Sequence, residues 1–194
     1  LDPQRTETEV HLALPGEHNA LNALAAAAAA AAVGVAPIVS AGALSKFGGT
    51  ERRFQLLAKA RGIQIVSDYA HHPTEVRAAL AAGKTVGPGR IWAVFQPHLR
   101  SRTRTLFTEF TSAFSDADRV TITEIFSPPG RETDDLSGNE LAAAIDSPGA
   151  KFEATLEDCF NRITAEAREG DLILVMGAGD INRLGERLAG WLQR

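Results

Sequence analysis

Between residues 62 and 192 the sequence alternates short apolar runs with amphipathic helical patterns, and this alternation limits the possible folds more than any other feature. The runs IWAVF at 91–95 and DLILVM at 171–176 lack the apolar–polar alternation of a half-exposed strand, so we expect strands buried on both faces. Strands that alternate with helices at this spacing are typical of a parallel sheet. The sequence therefore predicts an α/β fold, with a mostly parallel sheet and helices on both of its faces.

The apolar pattern also places the individual elements. Strands are expected at 52–58, 62–67, 91–95, 119–123, 151–153 and 171–176, with a turn near Arg61-Gly62. Helices are expected at 73–82 and 104–114, after a capping box of Ser137 and Glu140, and along two apolar faces formed by Leu156, Cys159, Phe160 and Ile163 and by Ile181, Leu184, Leu188 and Trp191. The region from residue 50 onward is long enough for a complete α/β domain.

The first 50 residues differ from the rest because they are too few and too helical for a complete domain. A short strand is predicted at 7–14, followed by a helix that contains eight consecutive alanines at 25–32. We interpret this helix as buried, since small side chains let a neighbouring backbone approach closely; a low-complexity linker is the alternative. A second helix is predicted at 37–47, and residues 48–50 form a hinge-like break. Because the sequence also lacks a starting Met, we expect the first 50 residues to be the tail of a preceding domain in a longer protein.

Composition excludes several classes of protein. The chain has 20 Lys and Arg against 24 Asp and Glu, a net charge of −4, which argues against a non-specific nucleic-acid binder. The single Cys159 rules out a disulfide within the chain and a cysteine-rich metal site, and it favours a reducing, cytoplasmic location. No apolar run reaches the roughly 18 residues of a membrane span, so we expect no membrane partner.

A polar segment follows the predicted strand at 62–67, at the edge of a parallel sheet where ligands bind. It holds Asp68, Tyr69, His71 and His72, more polar side chains than a turn requires. Asp68 either ends the strand or accepts hydrogen bonds from ribose hydroxyls, and Tyr69 and His71 face either solvent or a substrate. The adjacent histidines do not favour a metal site, because neighbouring side chains diverge and no third ligand has supporting spacing.

A basic segment follows the strand at 91–95. It carries His98 and three arginines, with two candidates for a helix N-cap: Arg100, Arg102 and Arg104, then Ser101 and Thr103. Guanidinium groups at a helix start are suited to bind a carboxylate or a phosphate. An ordinary basic surface loop and a nucleic-acid-binding patch are the two alternative interpretations of this segment. The negative net charge and the lack of interleaved aromatic residues disfavour the nucleic-acid patch.

Two glycine-containing segments resemble phosphate-binding loops. Gly177-Ala178-Gly179-Asp180 follows a buried strand, but Asn182 holds the position of the third glycine of G-x-G-x-x-G. The segment is either a phosphate loop or a tight strand-to-helix turn with Asp180 as N-cap. Gly83-Lys84-Thr85 is not a P-loop, because Ala78 stands where that motif needs glycine and because a helix precedes it.

Two polar pairs lie outside these strand ends. Asn19 and Asn22 are three residues apart on one face of the alanine-rich helix, where they either cap the helix or contact the edge of a nucleotide base. Arg52 and Arg53 lie at the junction of the two regions, as either a surface charge pair or a contact for a phosphate.

Five motifs occur in a fixed order along nearly the whole chain. They are P-G-x-H-N-x-x-N at 15–22, G-T-x-R-R-F at 49–54, D-Y-x-H-H-P-T-E at 68–75, F-Q-P-H at 95–98 with S-R-T at 101–103, and G-A-G-D-I at 177–181. Together they resemble the ATP-dependent Mur ligases of peptidoglycan synthesis, in particular the branch that joins L-alanine to UDP-N-acetylmuramate. The resemblance implies that residues 1–49 end a central ATP-binding domain and that residues 50–194 form a Rossmann-like C-terminal domain.

The resemblance also implies a role for each candidate residue. On the nucleotide side, Asn19 and Asn22 match residues that lie near adenine in the family. Arg53 matches an arginine that approaches the phosphates, and Asp68 matches an aspartate that contacts the ribose. The positions that match the muramate or amino-acid side of the cleft are Tyr69, His71, His98 and Arg102. The implied substrates are UDP-N-acetylmuramate, L-alanine and ATP, and the implied cofactor is Mg²⁺.

Part of the family's machinery is missing from this sequence. The phosphate-binding G-T-x-G-K-[ST] loop, the Mg²⁺-binding carboxylate and the UDP-binding domain are not present, so we expect the chain to need those domains as partners and to be inactive alone. Some relatives have arginine at the position of Leu99 and an aromatic residue at that of Arg100, which leaves open which arginine meets the substrate carboxylate. Two alternatives remain: a non-catalytic module that binds a nucleotide or a carboxylate ligand, and a Mur ligase of different amino-acid specificity.

Overall fold

The computed structural model describes residues 7–87, 89–130, 134–146 and 148–194. The chain divides into two compact units, Leu1–Thr50 and Glu51–Arg194. The first unit contains two helices, and every strand of the described residues lies in the second.

The first unit consists of an irregular segment and two helices, α1 at Glu17–Ala32 and α2 at Pro37–Lys46. Helix α2 confirms the helix predicted at 37–47, whereas two other predictions for this unit were wrong. Residues 7–14 form no strand, because no described strand lies beside them to complete a hydrogen-bonded ladder. Helix α1 has no buried residue, because within this unit α2 covers only part of its surface.

An apolar cavity of about 400 Å³ lies within the first unit. Alternate residues of the N-terminal segment, Thr8, Val10 and Leu12, line one side of it, and Leu24 and Leu44 line the other. The segment therefore presents one side to the helices, as a strand would, although it pairs with no other strand.

The second unit is built on a six-stranded sheet. Its strands are β1 Gln55–Ala60, β2 Ile63–Asp68, β3 Arg90–Phe95, β4 Arg119–Thr123, β5 Ala150–Glu153 and β6 Asp171–Met176. They lie in the order β1-β2-β6-β3-β4-β5, and all neighbours are parallel except β1 and β2. This confirms the predicted mostly parallel sheet, with β6 inserted between β2 and β3.

The predicted turn at Arg61-Gly62 joins β1 to β2. Ala60 pairs with Ile63, so the loop has only two residues, and both have positive φ, 48° and 70°. Two positive φ values in a two-residue hairpin define a type I′ turn, whose twist matches that of the strands. The hairpin adds β1 to the edge of the sheet.

Six helices are described in the second unit. They are α3 Pro73–Thr85, α4 Arg100–Thr105, α5 Phe107–Thr111, α6 Gly138–Ala144, α7 Leu156–Glu166 and α8 Asn182–Leu192. One buried apolar cluster joins α3, α5 and α6 to one face of the sheet, and a second joins α7 and α8 to the other face. Both faces are therefore covered, as predicted, and the strand ends are left for a ligand. Within the described ranges, no helix is long and apolar enough to cross a membrane.

Two of the predicted helix starts are confirmed by their capping boxes. Helix α3 begins with His72 as N-cap and Glu75 as its partner, and α6 begins with Ser137 and Glu140 in the same roles. In both cases the short polar pattern fixes the boundary, because the capping bonds are local.

The helix predicted at 104–114 was partly wrong, since two short helices replace it with a break at Leu106. Neither Ser101 nor Thr103 caps the first of them. Leu99 holds the N-cap position at φ 67°, and the Thr103 hydroxyl instead donates to the Leu99 carbonyl at 3.0 Å. A threonine inside a helix commonly bonds back to the preceding turn in this way.

Candidate functional site

The carboxyl ends of β2, β6 and β3 lie side by side and carry the candidate site. The N–H of Gly177, after β6, donates to the carbonyl of Asp68 at 3.1 Å, and the N–H of Gln96, after β3, donates to the carbonyl of Met176 at 3.0 Å. The loops that leave these three strands therefore start within hydrogen-bond distance of one another. This is the edge at which parallel α/β sheets bind ligands.

Rings from these loops form a continuous row. The centroids of Tyr69 and His71 are 5.4 Å apart, and those of His71 and His98 are 6.2 Å apart. His98 in turn stacks on Phe126, with centroids 5.6 Å apart and an interplanar angle of 20°. The structure thus brings Tyr69 and His71, which follow β2, together with His98, which follows β3. Phe126 was missed, because the only signal was its position just after the buried strand β4.

Asp68 ends β2 and is buried, with 7 % of its surface exposed. Its Oδ2 accepts the N–H of Phe54 at 2.7 Å, and its Oδ1 accepts the N–H of Ala70 at 2.7 Å. Burial raises the pKa of the carboxyl group above 3.8, and the two hydrogen bonds and the charge of Arg53 offset this only in part. Asp68 therefore ties the segment before β1 to the loop after β2. Its predicted contact with a ribose would use the remaining lone pairs and stays a prediction.

Arg52 connects three parts of the site, a role that the sequence did not reveal. Its Nη2 donates to the carbonyl of Gly177 and, at 3.2 Å, to that of Gly179. Its guanidinium lies over the ring of Tyr69, 4.7 Å from the centroid, and its own carbonyl accepts the N–H of Tyr69 at 2.6 Å. The segment before β1 is thereby fixed to the loops after β2 and β6.

Arg53 is exposed, and within the described residues its side chain makes no hydrogen bond or ion pair. Its guanidinium lies 5.9 Å from the centroid of the Tyr69 ring. Its neighbours Arg52 and Phe54 both have positive φ, 57° and 44°, and the N–H of Phe54 is bonded to Asp68. The backbone of Arg53 is therefore held while its charge remains available to a ligand, as the predicted phosphate contact requires.

Two of the three arginines in α4 are held by other protein groups. Arg100 donates from Nη1 to the carbonyl of Leu136 at 2.6 Å, and it lies 3.7 Å from the carboxylate of Glu124. Arg104 pairs with Asp134 at 2.5 Å and with Asp135 at 2.9 Å.

The ion pair of Arg104 lowers the pKa of the Asp134 carboxyl to about 2, chiefly through the hydrogen bond from the guanidinium. Arg102 differs, because its half-buried side chain makes no hydrogen bond or ion pair within the part of the chain that the structure describes. Arg102 is therefore the arginine of α4 whose donors are available to a carboxylate.

The turn after β6 leaves little space at its glycines. A Cβ on Gly177 would lie 2.9 Å from the carbonyl oxygen of Gln96. A Cβ on Gly179 would lie 2.4 Å from Oε1 of Gln96 and 2.5 Å from Cγ of Phe126. The close approach of protein atoms explains both glycines, so the structure favours a tight turn over a phosphate loop.

Gln96 closes this turn and was also missed. Its Nε2 donates to Oδ1 of Asp180 at 2.9 Å, and its Oε1 accepts the N–H of Ile181 at 3.2 Å. Helix α8 begins at Asn182 with Ile181 as N-cap, so the expectation that Asp180 caps the helix was wrong. The carboxylate of Asp180 is instead the acceptor for the Gln96 amide.

Asn19 and Asn22 lie on α1 in the first unit. The amide of Asn19 donates to the carbonyl of Pro15 at 2.7 Å, which closes the first turn of the helix. Asn22 is exposed. Their contact with adenine stays a prediction.

The arrangement in the second unit is that of a Rossmann-like α/β domain, in which the loops at one end of a mostly parallel sheet bring polar side chains together. The family model described as Mur ligase, glutamate ligase domain, matches residues 52–179. The chain therefore belongs to the Mur ligase family.

Individual relatives match this chain across both of its units. The chain is similar to the UDP-N-acetylmuramate–L-alanine ligase of Symbiobacterium thermophilum, with 43 % identity over 95 % of this chain and 39 % of the relative. It is 41 % identical to the ligase of the same name from Kineococcus radiotolerans, over 91 % of this chain and 38 % of the relative. The crystal structure of a UDP-N-acetylmuramate-alanine ligase from Thermotoga maritima superimposes with a TM-score of 0.79 at 30 % identity, and the match covers 98 % of this chain and 41 % of that chain. The chain thus spans about two fifths of the length of these relatives.

Proposed function

We propose that this chain is the C-terminal part of an ATP-dependent ligase that joins L-alanine to UDP-N-acetylmuramate in peptidoglycan synthesis. Residues 1–49 would end the central ATP-binding domain, and residues 50–194 would be the C-terminal domain. The observation that carries the proposal is the meeting of His71 and His98, 6.2 Å apart, at the ligand-binding edge of the sheet. The 43 % identity to a ligase of this name supports the choice of substrates.

On the nucleotide side, Arg53 would bind the phosphates of ATP and Asp68 the ribose, while Asn19 and Asn22 would contact adenine. The exposure of Arg53 and the absence of a side-chain hydrogen bond or ion pair to it among the described residues support its role, because a guanidinium paired with a carboxylate would have to give up that pair to bind a phosphate.

On the substrate side, we assign Tyr69, His71, His98 and Arg102 to the muramate or the amino acid. Arg102 can present two parallel N–H groups to a carboxylate, which is the geometry that a guanidinium offers and an ammonium group does not. Arg100 and Arg104 are held by protein acceptors, which supports the choice of Arg102.

The reaction must overcome the poor leaving group of a carboxylate. In the proposed sequence ATP converts the muramate carboxylate to an acyl phosphate, the amine of L-alanine attacks the acyl carbon, and phosphate leaves. In such steps a protein positions the reactants and stabilises the charge that develops in the transition state. The residues of this chain would orient the two reactants and neutralise their negative charges.

The Mg²⁺ that such a reaction implies finds no fitting site among the described residues. None of the described ranges contains a group of three or more His, Cys, Asp or Glu side chains placed to hold a metal ion. We therefore assign the metal ligands to the remainder of the enzyme, and we expect this chain to be inactive alone.

An ATP-dependent phosphate-release assay with UDP-N-acetylmuramate and L-alanine tests the proposal. We expect turnover by the full-length enzyme and none by this chain. Turnover by the chain alone would contradict the division into domains. Turnover of the full-length enzyme with another amino acid, but not with L-alanine, would show a different specificity, and ATP binding without any turnover would show a non-catalytic module.

Two variants of the full-length enzyme test the nucleotide side. We expect Arg53→Ala to raise KM for ATP by about tenfold, the size of one charge-assisted hydrogen bond. Lys59→Ala removes an exposed positive charge from the nearby strand β1 and serves as the matched control. Equal effects of the two variants would show that net charge, and not the position of Arg53, matters.

A further inference from the structure

The two adjacent histidines of the loop after β2 hold opposite tautomers. Nδ1 of His71 lies 3.0 Å from the carbonyl oxygen of Tyr69 and 3.3 Å from Oε2 of Glu75. Both oxygens can only accept a hydrogen bond, so in the neutral ring Nδ1 carries the proton. Nδ1 of His72 accepts the N–H of Thr74 at 3.3 Å, so in that neutral ring the proton is on Nε2.

Glu75 holds this arrangement in place. Its Oε2 also accepts the backbone N–H groups of His71, at 2.9 Å, and of His72, at 3.1 Å. Because Glu75 is the third residue of α3, a single carboxylate oxygen serves both the helix cap and the imidazole ring. The cap therefore fixes the carboxylate beside Nδ1 of His71.

The tautomer leaves Nε2 of His71 with its lone pair. The side chain of His71 keeps 23 % of its surface exposed, and its ring lies between those of Tyr69 and His98. This unprotonated Nε2, between the rings of Tyr69 and His98, can accept a hydrogen bond or a proton. The ammonium group of an amino acid must lose a proton before it can attack, since its nitrogen has no free electron pair.

We propose that Glu75 is a positioning residue that acts through His71, so that Nε2 of His71 accepts a hydrogen bond and then a proton from the ammonium group of the incoming amino acid. This inference rests on the proposed function. One N–H bond of the ammonium group breaks, its proton goes to Nε2, and the electron pair stays on nitrogen. The amine then attacks the acyl phosphate, the C–N bond forms, the C–O bond to phosphate breaks, and the second proton leaves with the phosphate.

Nitrogen-15 NMR of this chain with labelled histidines reads the tautomers directly. The spectrum is recorded at rising pH until the nitrogen-15 shifts stop changing, so that the tautomers are read in the neutral rings. We expect the Nδ1–H form for His71 and the Nε2–H form for His72, with His71→Gln used to assign the resonances. An Nε2–H form for His71 would overturn the proposal.

A matched pair of variants separates the positioning role from helix capping. Glu75→Gln keeps a side-chain oxygen for the cap but removes the charge, so we expect the ratio of Nδ1–H to Nε2–H in His71 to fall by about five- to tenfold. Glu140→Gln makes the same change at the capping box of α6, where Oε2 of Glu140 accepts the N–H of Ser137 at 2.9 Å, and it should leave the ratio unchanged. A ratio unchanged by Glu75→Gln, or equally changed by both variants, would overturn the positioning role.

Kinetics of the full-length enzyme test the ligand. We expect Glu75→Gln to raise KM for L-alanine by about tenfold and to leave KM for ATP unchanged. The NMR experiment needs no ligase activity, so a wrong tautomer and a wrong proposed function give separate results. The expected tautomer together with an unchanged KM for the amino acid would overturn the assignment of Nε2 to the amine.

Discussion

The carboxylate of Asp68 accepts the backbone N–H of Phe54 at 2.7 Å, and it does so from the end of a strand 14 residues later in the chain. Phe54 has φ 44°, in a region that costs a residue other than glycine on the order of 1–2 kcal/mol. The bond therefore helps to hold an unfavourable backbone conformation beside the exposed Arg53. The buried carboxylate of Asp68, at the end of β2, thus fixes the backbone next to the exposed Arg53, which lies just before β1.

Asp68→Asn should change how stability depends on pH. Because burial raises the pKa of Asp68 above 3.8, the folded state binds more protons than the unfolded state between the two pKa values. The contribution of Asp68 to the free energy of unfolding therefore falls as pH rises through that window. We expect the difference in this free energy, wild type minus Asp68→Asn, to fall above pH 3.8 and then to become constant. Urea unfolding at a series of pH values measures this difference, and a rise with pH would contradict it.

Asp134→Asn provides a control of opposite sign. The guanidinium of Arg104 lowers the pKa of Asp134 to about 2, so its contribution to stability is present above pH 3.8. We expect that contribution to be lost as pH falls from 3.8 towards 2. The same urea unfolding series measures the free energy of unfolding of wild type minus that of Asp134→Asn, which should decrease as pH falls.

Arg102→Gln should weaken the binding of a substrate carboxylate in the full-length enzyme. Loss of a charge-assisted pair worth about 1.5–3 kcal/mol raises KM for the carboxylate substrate roughly 10- to 100-fold. Arg104→Gln removes a charge two residues further along α4, where Arg104 already pairs with Asp134, and we expect it to change KM less than about threefold. Steady-state kinetics with each substrate varied in turn gives both values. A larger effect for Arg104→Gln than for Arg102→Gln would show that Arg104, and not Arg102, contacts the carboxylate.

Gly179→Ala should destabilise the second unit. The new Cβ would lie 2.4 Å from Oε1 of Gln96 and 2.5 Å from Cγ of Phe126, so the turn has to move, at a cost of about 1–3 kcal/mol. Gly190→Ala is the control, because no atom lies within 4 Å of its Cβ and the residue is inside α8. There alanine should add about 0.5–1 kcal/mol of stability. Chemical denaturation of both variants tests the opposite signs, and two changes of the same sign would refute the packing argument.

Asp171→Ala should be among the most destabilising single changes at the amino end of β6. Asp171 is buried and accepts two hydrogen bonds from Arg90, at 2.8 and 2.6 Å, so its loss leaves a guanidinium mostly buried without its partner. Breaking such a pair costs about 3–5 kcal/mol. Asp116→Ala breaks the exposed pair with Lys84 and should cost less than about 1 kcal/mol, as thermal unfolding would show.

The sequence predicts the central strands well because their apolar pattern is local and nearly all of their residues are buried. The predicted bounds of β4 and β6 match those observed, and every residue of β6 is buried. In the first unit both helices were predicted, but the burial of α1 and the strand at 7–14 were predicted wrongly, because burial and strand pairing depend on neighbouring elements and not on local pattern. The helix predicted at 104–114 was partly wrong because Phe107, Phe110 and Phe114 keep helical spacing, although α5 ends at Thr111 and Leu106 separates it from α4.

The candidate site was predictable where side chains follow strands directly. Tyr69, His71 and His98 could be placed at one sheet edge because parallel strands share a direction. Arg52 and Gln96 could not, because their partners are backbone groups and side chains far along the chain, 125 residues away in the bond from Arg52 to Gly177. No pattern of residue types marks such contacts.

Strand β1 is at the edge of the sheet and pairs with β2 alone, so a single ladder joins it to the other five strands, in addition to the bonds that Arg52 and Phe54 make just before it. Because β3 and β6 each pair with strands on both sides, opening β1 breaks fewer ladders than opening either of them, and the amide protons of β1 should exchange with solvent ahead of those in β3 and β6.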